Sequence, residues 1–213
     1  MPELPEVETT RRGIEPHVIG QKVASTVVRE RRLRWPIPVG FEKELAGRTI
    51  TATRRRAKYL LIDFDTGCLL IHLGMSGSLR MVAPEEQPRK HDHVDIGFDN
   101  GLVLRYHDPR RFGSMHWFSG GSHALLDHLG PEPLSDAFDG EYLHQQARKR
   151  GSAIKLFIMD AKVVVGVGNI YANEALFMAG IRPDRPANRV GKARYDALAV
   201  AIKDVLATAI DVG

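Results

Sequence analysis

The feature that most constrains the fold of this 213-residue chain is a change of pattern near its middle. Before about residue 120, short runs of β-branched and large apolar residues alternate with turn sequences, which predicts β-strands. After a Gly- and Pro-rich stretch at residues 130–134, apolar residues recur at helical spacing. We therefore predict an α+β protein, with an N-terminal antiparallel β-sandwich domain over residues 1–130 and an α-helical domain over residues 131–213.

Turn and capping signals locate the individual elements. Asp65-Thr66-Gly67 and Asp99-Asn100-Gly101 each separate two apolar runs and indicate antiparallel hairpins. Ser152 is a candidate helix N-cap, and Gly151 and Gly180 are candidate helix ends. The predicted strands are 23–28, 49–53, 59–64, 69–73, 94–98 and 102–106, and the predicted helices are 5–14, 139–150, 152–159, 170–179 and 192–210.

The composition excludes several classes of protein. Cys68 is the only cysteine, which rules out an intramolecular disulfide framework and a cysteine-rich metal site, and its apolar neighbours predict a buried, inert thiol. No apolar stretch approaches the roughly 18 residues of a membrane span. The N-terminus is acidic and does not resemble a signal peptide. We expect a cytoplasmic protein that does not act at a membrane.

The cationic residues are concentrated in four runs, although the net charge is only +4. Three of these runs are almost purely cationic, and they fit a surface that follows the phosphate backbone of a nucleic acid. A solvated charged face is the alternative explanation. The runs are Arg29–Arg34, Arg54–Lys58, Arg110–Arg111 and Arg148–Arg150.

The N-terminus offers a candidate nucleophile. Small Pro2 makes Met1 a target for removal, which would leave a secondary amine at the start of the chain. Such an amine titrates at roughly pH 7.7–8, so part of it is unprotonated at neutral pH. On an aldehydic carbon it forms an iminium, an electron sink for eliminations, and adjacent Glu3 is placed to shuttle protons. The alternative is a proline that opens a helix in its first turn.

The sequence Gly166-Val167-Gly168-Asn169 directly precedes a predicted helix. Glycines let the backbone approach a phosphate, and the helix N-terminus supplies N–H groups and the positive end of the helix dipole. Asn169 is placed to donate to the same phosphate. The alternative is a tight turn in which Asn169 is an ordinary N-cap. The third glycine of a dinucleotide-binding fingerprint is missing.

Two further segments have features of base contacts. Met75 lies in the loop Gly74-Met75-Ser76-Gly77, where a methionine has little local core to join. It is a candidate wedge that unstacks bases and fills the gap in a duplex. Arg110 and Phe112 follow a turn and suit hydrogen bonding to bases and stacking on them. The alternative is that Met75 and Phe112 are core residues.

Taken together, these segments resemble those of one family, bacterial formamidopyrimidine-DNA glycosylase. The similarity extends along the whole chain, with the motifs in the expected order. Leu4 after Glu3, and the loop around Met75, favour this family over the related endonuclease VIII. The similar segments are Pro2–Thr9, Lys58–Leu60, His72–Gly77, Asp108–Gly113 and Gly166–Glu174.

The resemblance implies roles for individual residues. Pro2 resembles the nucleophile that displaces the damaged base at C1′ and holds the sugar as a Schiff base. Glu3 resembles the carboxylate that protonates the sugar ring oxygen or relays protons. Glu6 resembles a buried glutamate near that N-terminus, with helix-dipole complementarity as its alternative role. The implied phosphate contacts are Lys58, His72, Arg111 and Asn169, with Lys58 also assisting strand cleavage; the gap-filling residues are Met75, Arg110 and Phe112; further active-site candidates are Lys155 and Glu174.

The resemblance also implies a fold and a reaction. The fold is an antiparallel β-sandwich flanked by helices, followed by a helix–two-turn–helix domain. The reaction is base-excision repair of 8-oxoguanine and formamidopyrimidines, followed by AP lyase β,δ-elimination. The implied partner is double-stranded DNA with an oxidised purine or an abasic site, bound by a monomer in the bacterial cytoplasm at the nucleoid.

One feature departs from the family pattern. Family members continue through a lesion-covering loop into a zinc finger with four cysteines, whereas this sequence ends at Gly213 with one cysteine. We expect a chain truncated before the zinc finger, with no metal and little activity, while the full-length relative binds one structural zinc. The alternative function is that of a non-catalytic DNA-binding fragment, weak and poorly selective for lesions.

Overall fold

The structure is a computed structural model that describes residues 1–213 and contains two compact units. The first comprises Met1–Pro2 and Glu6–His123, and the second comprises Glu3–Pro5 and Ala124–Gly213. The domain boundary at residue 130 stays a prediction. None of the helices combines the length and apolar character needed to cross a membrane.

The first unit contains eight strands and two helices, of which the first begins with two residues assigned to the second unit. The seven-residue strand Asp92–Phe98 is buried along its whole length and lies at the centre of the unit. The helices are α1 Leu4–Val18 and α2 Phe41–Leu45; the strands are β1 Val23–Val28, β2 Ile50–Arg56, β3 Tyr59–Phe64, β4 Cys68–His72, β5 Ser78–Val82, β6 Asp92–Phe98, β7 Val103–His107 and β8 Ser114–Phe118.

The strands form two four-stranded antiparallel sheets, in the orders β1-β6-β7-β5 and β2-β3-β4-β8. Apolar side chains of both sheets, among them Leu60, Ile62, Ile96 and Tyr106, meet in one buried core. The predicted antiparallel β-sandwich is therefore confirmed. Its predicted hairpin turns are confirmed as well, since Gly67 and Gly101 have positive φ angles of 92° and 85°.

Three short elements of this unit were not predicted. Helix α2 has five residues, too few to show helical periodicity. Strand β5 follows directly from the glycine-bounded loop, and β8 follows the Arg-Phe-Gly segment, and neither is among the predicted strands. Turn residues next to a strand hide the period-two pattern when the strand has only five residues.

The second unit is helical, as predicted, and its helices enclose one apolar core. Asp139 caps the first of them by accepting from the N–H of Tyr142 at 2.7 Å. Gly180, with a φ of 66°, ends the third, as predicted. The helices are α3 Gly140–Ala147, α4 Ile154–Met159, α5 Asn169–Met178 and α6 Lys192–Val212, with a 3-10 turn at Ala187–Arg189.

Two capping predictions in this unit are wrong. Helix α4 has Ala153 as its N-cap, without a side-chain hydrogen bond, so Ser152 is not the cap. Gly151 lies beyond Arg148, the C-cap of α3, and does not end that helix. The physical reason is a backbone pairing, in which the carbonyl of Ser152 accepts from the N–H of Ala187 at 2.9 Å. This pairing keeps the chain extended before α4.

Candidate functional site

The two loops predicted to contact bases lie side by side at one end of the sandwich. Met75 is on the loop between β4 and β5, and Phe112 is on the loop between β7 and β8. Gly74 has a φ of 61°, and a Cβ there would lie 2.4 Å from the backbone of Phe112. The side chains of Met75 and Phe112 are 42% and 44% exposed, so the alternative that they are core residues is wrong.

A buried carboxylate supports these loops. Asp108 is fully buried, and its Oδ2 accepts from the hydroxyl of Tyr106 at 2.8 Å and from the N–H of Gly113 at 2.9 Å. Its Oδ1 accepts from the hydroxyl of Ser76 at 2.7 Å, and that hydroxyl accepts from the N–H of Arg110 at 3.1 Å. Sequence reasoning assigned no role to Ser76 or Asp108. The only signal was an aspartate between a strand and a proline.

The β7–β8 loop presents cations to solvent. The guanidinium of Arg110 lies 4.8 Å from the ring centroid of Phe112. Arg111 has a φ of 58°, a strained conformation for a side chain of this size, and its guanidinium lies 3.6 Å from the carboxylate of Glu30. A cleft of about 640 Å³ adjoins the loop, which suits an anionic ligand; it is lined by Arg32, Leu33, Arg34, Arg110, Arg111 and Phe112.

His72 ends β4 beneath the first loop, and its Nδ1 accepts from the N–H of Gly74 at 3.0 Å. Burial, reinforced by the positive charges of Lys58 and Arg34, lowers the pKa of His72 to about 4. The imidazole is therefore neutral near pH 7, with its proton on Nε2 as a single donor. Lys58 itself is half-buried in the turn between β2 and β3.

In the second unit, the residues around Glu3 form a separate cluster. The Glu3 carboxylate is buried, and it accepts from the N–H groups of Gly168 at 2.7 Å and Ile170 at 3.0 Å. It thus lies at the N-terminus of α5, where N–H groups and the helix dipole attract an anion. A Cβ at Gly168 would lie 2.4 Å from Cδ of Glu3, so only glycine leaves room for this carboxylate.

This arrangement corrects the interpretation of the glycine turn as a phosphate cradle. The N–H groups at the start of α5 donate to Glu3, and Gly166, with a φ of 80°, makes room for the side chain of Leu4. The alternative for Asn169 is also wrong, because Gly168 is the N-cap and Asn169 is the first residue of the helix. The side chain of Asn169 is exposed and faces solvent.

The remaining predicted site residues are scattered over both units. Glu6 is exposed, so the prediction that it is a buried glutamate is wrong; α1 buries Val7 and Ile14 instead, and Glu6 lies in the first turn, where it complements the helix dipole. Lys155 is half-buried in α4, and Glu174 is exposed on α5.

The described residues offer no metal site. No group of three or more His, Cys, Asp or Glu side chains is placed to hold a metal ion. Cys68 is buried in β4, and burial raises the pKa of its thiol to about 12. A thiol with so high a pKa is a poor metal ligand and a poor nucleophile, in agreement with the predicted inert role.

A family model described as the formamidopyrimidine-DNA glycosylase N-terminal domain matches residues 1–115, and one described as its H2TH domain matches residues 129–213. The formamidopyrimidine-DNA glycosylase of Methylococcus capsulatus is 59% identical, and that of Xanthomonas euvesicatoria is 60% identical, over 215 residues in each case. Both alignments cover 100% of this chain and 79% of the relative.

Solved structures of a formamidopyrimidine-DNA glycosylase are similar to this chain in both sequence and fold. The Lactococcus lactis formamidopyrimidine-DNA glycosylase, non-covalently bound to DNA with an AP site, is 33% identical, with a TM-score of 0.92 and coverage of 99% of this chain and 82% of that chain. Its complex with DNA containing Fapy-dG shows 35% identity, a TM-score of 0.92 and coverage of 99% and 81%. The two structures therefore show one relative bound to DNA with two kinds of damage.

Proposed function

Because the chain belongs to the formamidopyrimidine-DNA glycosylase family, a family of base-excision repair enzymes, we propose that Pro2 is its nucleophile and Glu3 its proton carrier. The substrate is double-stranded DNA with an oxidised purine, such as 8-oxoguanine or a formamidopyrimidine. The second activity is that of an AP lyase, which cleaves the strand by β,δ-elimination.

The observation that carries this proposal is the placement of Glu3. A carboxylate that is 1% exposed is rare unless it is paired or hydrogen-bonded, and here a helix N-terminus supplies the hydrogen bonds. These bonds hold the carboxylate at the start of α5, and Glu3 directly follows Pro2 in the sequence. In these contacts the carboxylate accepts hydrogen bonds, and as the acidic group next to Pro2 in the sequence it is assigned to take the proton from the attacking amine.

The reaction follows from an amine next to a base. The nitrogen lone pair of Pro2 forms a bond to C1′ while the bond from C1′ to the damaged base breaks, and the base leaves with that electron pair. Glu3 takes the amine proton and delivers it to the sugar ring oxygen, which opens the ring and gives the cationic iminium. The iminium accepts electrons as the C2′ proton is lost, so the 3′ phosphate leaves first and the 5′ phosphate follows.

Residues of both units serve DNA binding in this proposal. Lys58, His72, Arg111 and Asn169 contact phosphates around the extruded nucleotide, and Lys58 assists strand cleavage. Met75 and Phe112 fill the gap in the duplex, while Arg110 addresses the opposite base. Lys155 and Glu174 complete the rim of the active site.

The remaining features of the proposal concern metal, assembly and location. No group of His, Cys, Asp or Glu side chains among the described residues is placed to hold the structural zinc that the resemblance implies for full-length family members. The proposed assembly is a monomer. Chromosomal DNA as the substrate makes the bacterial cytoplasm, at the nucleoid, the expected location.

Borohydride trapping tests the assignment of Pro2. Reduction of the iminium joins the protein covalently to an 8-oxoguanine or abasic-site duplex, and the adduct is detected by its mass. We expect Pro2→Gly to lower the trapping rate at least about 100-fold, because it changes the basicity and geometry of the amine. Equal trapping by a variant with an uncleaved N-terminal extension would contradict the role of Pro2. Binding to damaged DNA without any trapping would favour the alternative of a non-catalytic DNA-binding protein.

A further inference from the structure

Ser76 joins the two loops that carry the proposed DNA-inserting residues. Its hydroxyl donates to Oδ1 of Asp108 at 2.7 Å and accepts from the N–H of Arg110 at 3.1 Å. We propose that Ser76, held by Asp108, is a positioning residue that makes Met75 and Arg110 enter the duplex as one unit. This inference rests on the proposed function, because it concerns how the inserting residues of that function are arranged.

The polarity of the two hydrogen bonds is fixed. A serine hydroxyl has one proton, and the carboxylate of Asp108 only accepts, so Ser76 donates to Asp108 and its lone pair faces Arg110. The bond to the carboxylate is charge-assisted and therefore the stronger of the two. Both bonds run from the β4–β5 loop to the β7–β8 loop, so a shift of one loop against the other breaks both, and the two loops keep one relative position.

Asp108 is itself held from several directions, which makes it a rigid anchor. Besides the bonds to its carboxylate, its N–H donates to the carbonyl of His91 at 3.0 Å. Its own carbonyl lies 2.8 Å from Nε2 of His93. The residue is fully buried, so water does not compete for these bonds.

The loop backbones also leave no space between them. A Cβ at Gly74 would lie 2.4 Å from the carbonyl carbon of Phe112 and 2.5 Å from the nitrogen of Gly113. The β4–β5 loop therefore packs directly on the β7–β8 loop at one end, while Ser76 bonds to that loop at the other. The residue that fills the gap and the residue that addresses the opposite base are thereby coupled.

Ser76→Ala removes the bridging hydroxyl with little change in volume. We expect it to lower the single-turnover excision rate of 8-oxoguanine about tenfold, the effect of one lost hydrogen bond to a charged group. Ser76→Thr keeps the hydroxyl and should return the rate to within about threefold of the parent. The matched control is Ser78→Ala, an exposed serine two residues further along, which should leave the rate unchanged.

A double-mutant cycle separates positioning from a general loss of structure. In the parent, the effects of Met75→Ala and Arg110→Ala should be less than multiplicative, because losing one residue already spoils insertion of the other. In the Ser76→Ala background the two effects should become multiplicative. The fluorescence of 2-aminopurine beside the lesion gives a second readout, since it reports unstacking without depending on catalysis.

The possible results distinguish this inference from the proposed function. If Met75→Ala and Arg110→Ala have no effect on excision or on unstacking in the parent, the proposed insertion roles are wrong and the coupling is wrong with them. If those two variants are impaired but Ser76→Ala behaves like Ser78→Ala, only the coupling is wrong. Impairment by Ser76→Ala that Ser76→Thr does not rescue also contradicts the role of the hydroxyl.

Discussion

The two units place their functional groups in opposite ways. In the sandwich, the proposed inserting residues Met75 and Phe112 are exposed on loops, and a different residue, the buried Asp108, supports those loops. In the helical unit, the proposed catalytic group Glu3 is itself buried. It accepts a hydrogen bond from Gly168, the N-cap of α5, so the same contact holds the side chain and the helix. Function and stability are therefore separable in the first unit and share the same atoms in the second.

The largest expected effect is that of Glu3→Gln. The amide has nearly the size of the carboxylate but cannot carry a proton, so the single-turnover excision rate should fall by about 10²–10⁴. The amide NH₂ group would also face backbone N–H donors, which should lower the free energy of unfolding by about 1–3 kcal/mol. Quenched-flow excision assays and urea unfolding measure the two effects on the same sample.

Glu141→Gln is the matched control for this variant. Glu141 is exposed in the first turn of α3, so its substitution should change neither quantity beyond about 0.5 kcal/mol. If Glu3→Gln lost activity while keeping the full free energy of unfolding, the chemistry of Glu3 would be independent of its packing. The contrast between the two units would then fail.

The sandwich should show the opposite behaviour. We expect Met75→Ala and Phe112→Ala to lower excision about 10–100-fold, because a gap in the duplex is left unfilled. The unfolding free energy should change by less than about 0.5 kcal/mol, since both side chains are exposed. The core control is Met115→Ala, in which a side chain that is 1% exposed is truncated at a cost of about 2–5 kcal/mol.

A large loss of unfolding free energy in Met75→Ala or Phe112→Ala would indicate that these side chains pack in the core. That result would contradict their proposed roles in DNA insertion. Thermal and urea unfolding, with no DNA present, decide this point. The comparison with Met115 is informative because both methionines belong to the same unit, one exposed on a loop and the other buried in β8.

Gly168→Ala tests how tightly packing and chemistry are joined in the helical unit. A Cβ there would overlap the Glu3 carboxylate, so we expect the unfolding free energy to fall by about 1–3 kcal/mol and the excision rate to fall with it. Gly191, the N-cap of α6, has no neighbour within 4 Å of the same hypothetical atom. Gly191→Ala should therefore cost well under about 1 kcal/mol and leave excision unchanged.

The glycine turn also shows what the sequence could and could not predict. The pattern predicted a close approach of an anion to the N-terminus of α5, and an anion does lie there. The anion is Glu3, more than 160 residues away along the chain, and local spacing carries no information on a contact of that range. The motif therefore indicated a close contact at the N-terminus of α5, but the group in contact is Glu3 and not a phosphate.

The fold was predicted best where the pattern was long and the turns were marked. Strand β3 and the turns at Gly67 and Gly101 follow from local chemistry alone, because glycine accepts the positive φ angles that these turns need. The support by Ser76 and Asp108 was not predicted, since it depends on two loops that meet only in the folded sheet pair. Burial of Asp108 is a tertiary property, and no spacing in the sequence signals it.

The smallest expected effect concerns His72 and the pH dependence of stability. Burial lowers the pKa of His72 from 6.5 to about 4, so between these values the unfolded chain binds more protons than the folded one. The stability that this group contributes is therefore complete above pH 6.5 and falls as the pH drops toward 4.

His72→Asn tests this expectation, because it keeps an acceptor for the N–H of Gly74 but does not titrate. In urea unfolding at pH 5 and pH 7, we expect the parent to lose more stability than this variant, by on the order of 1 kcal/mol. Equal losses of unfolding free energy in the parent and the variant would show that His72 is protonated as easily in the folded state as in the unfolded chain. The imidazole beneath the loops would then be as solvated as the side chains at the loop tips.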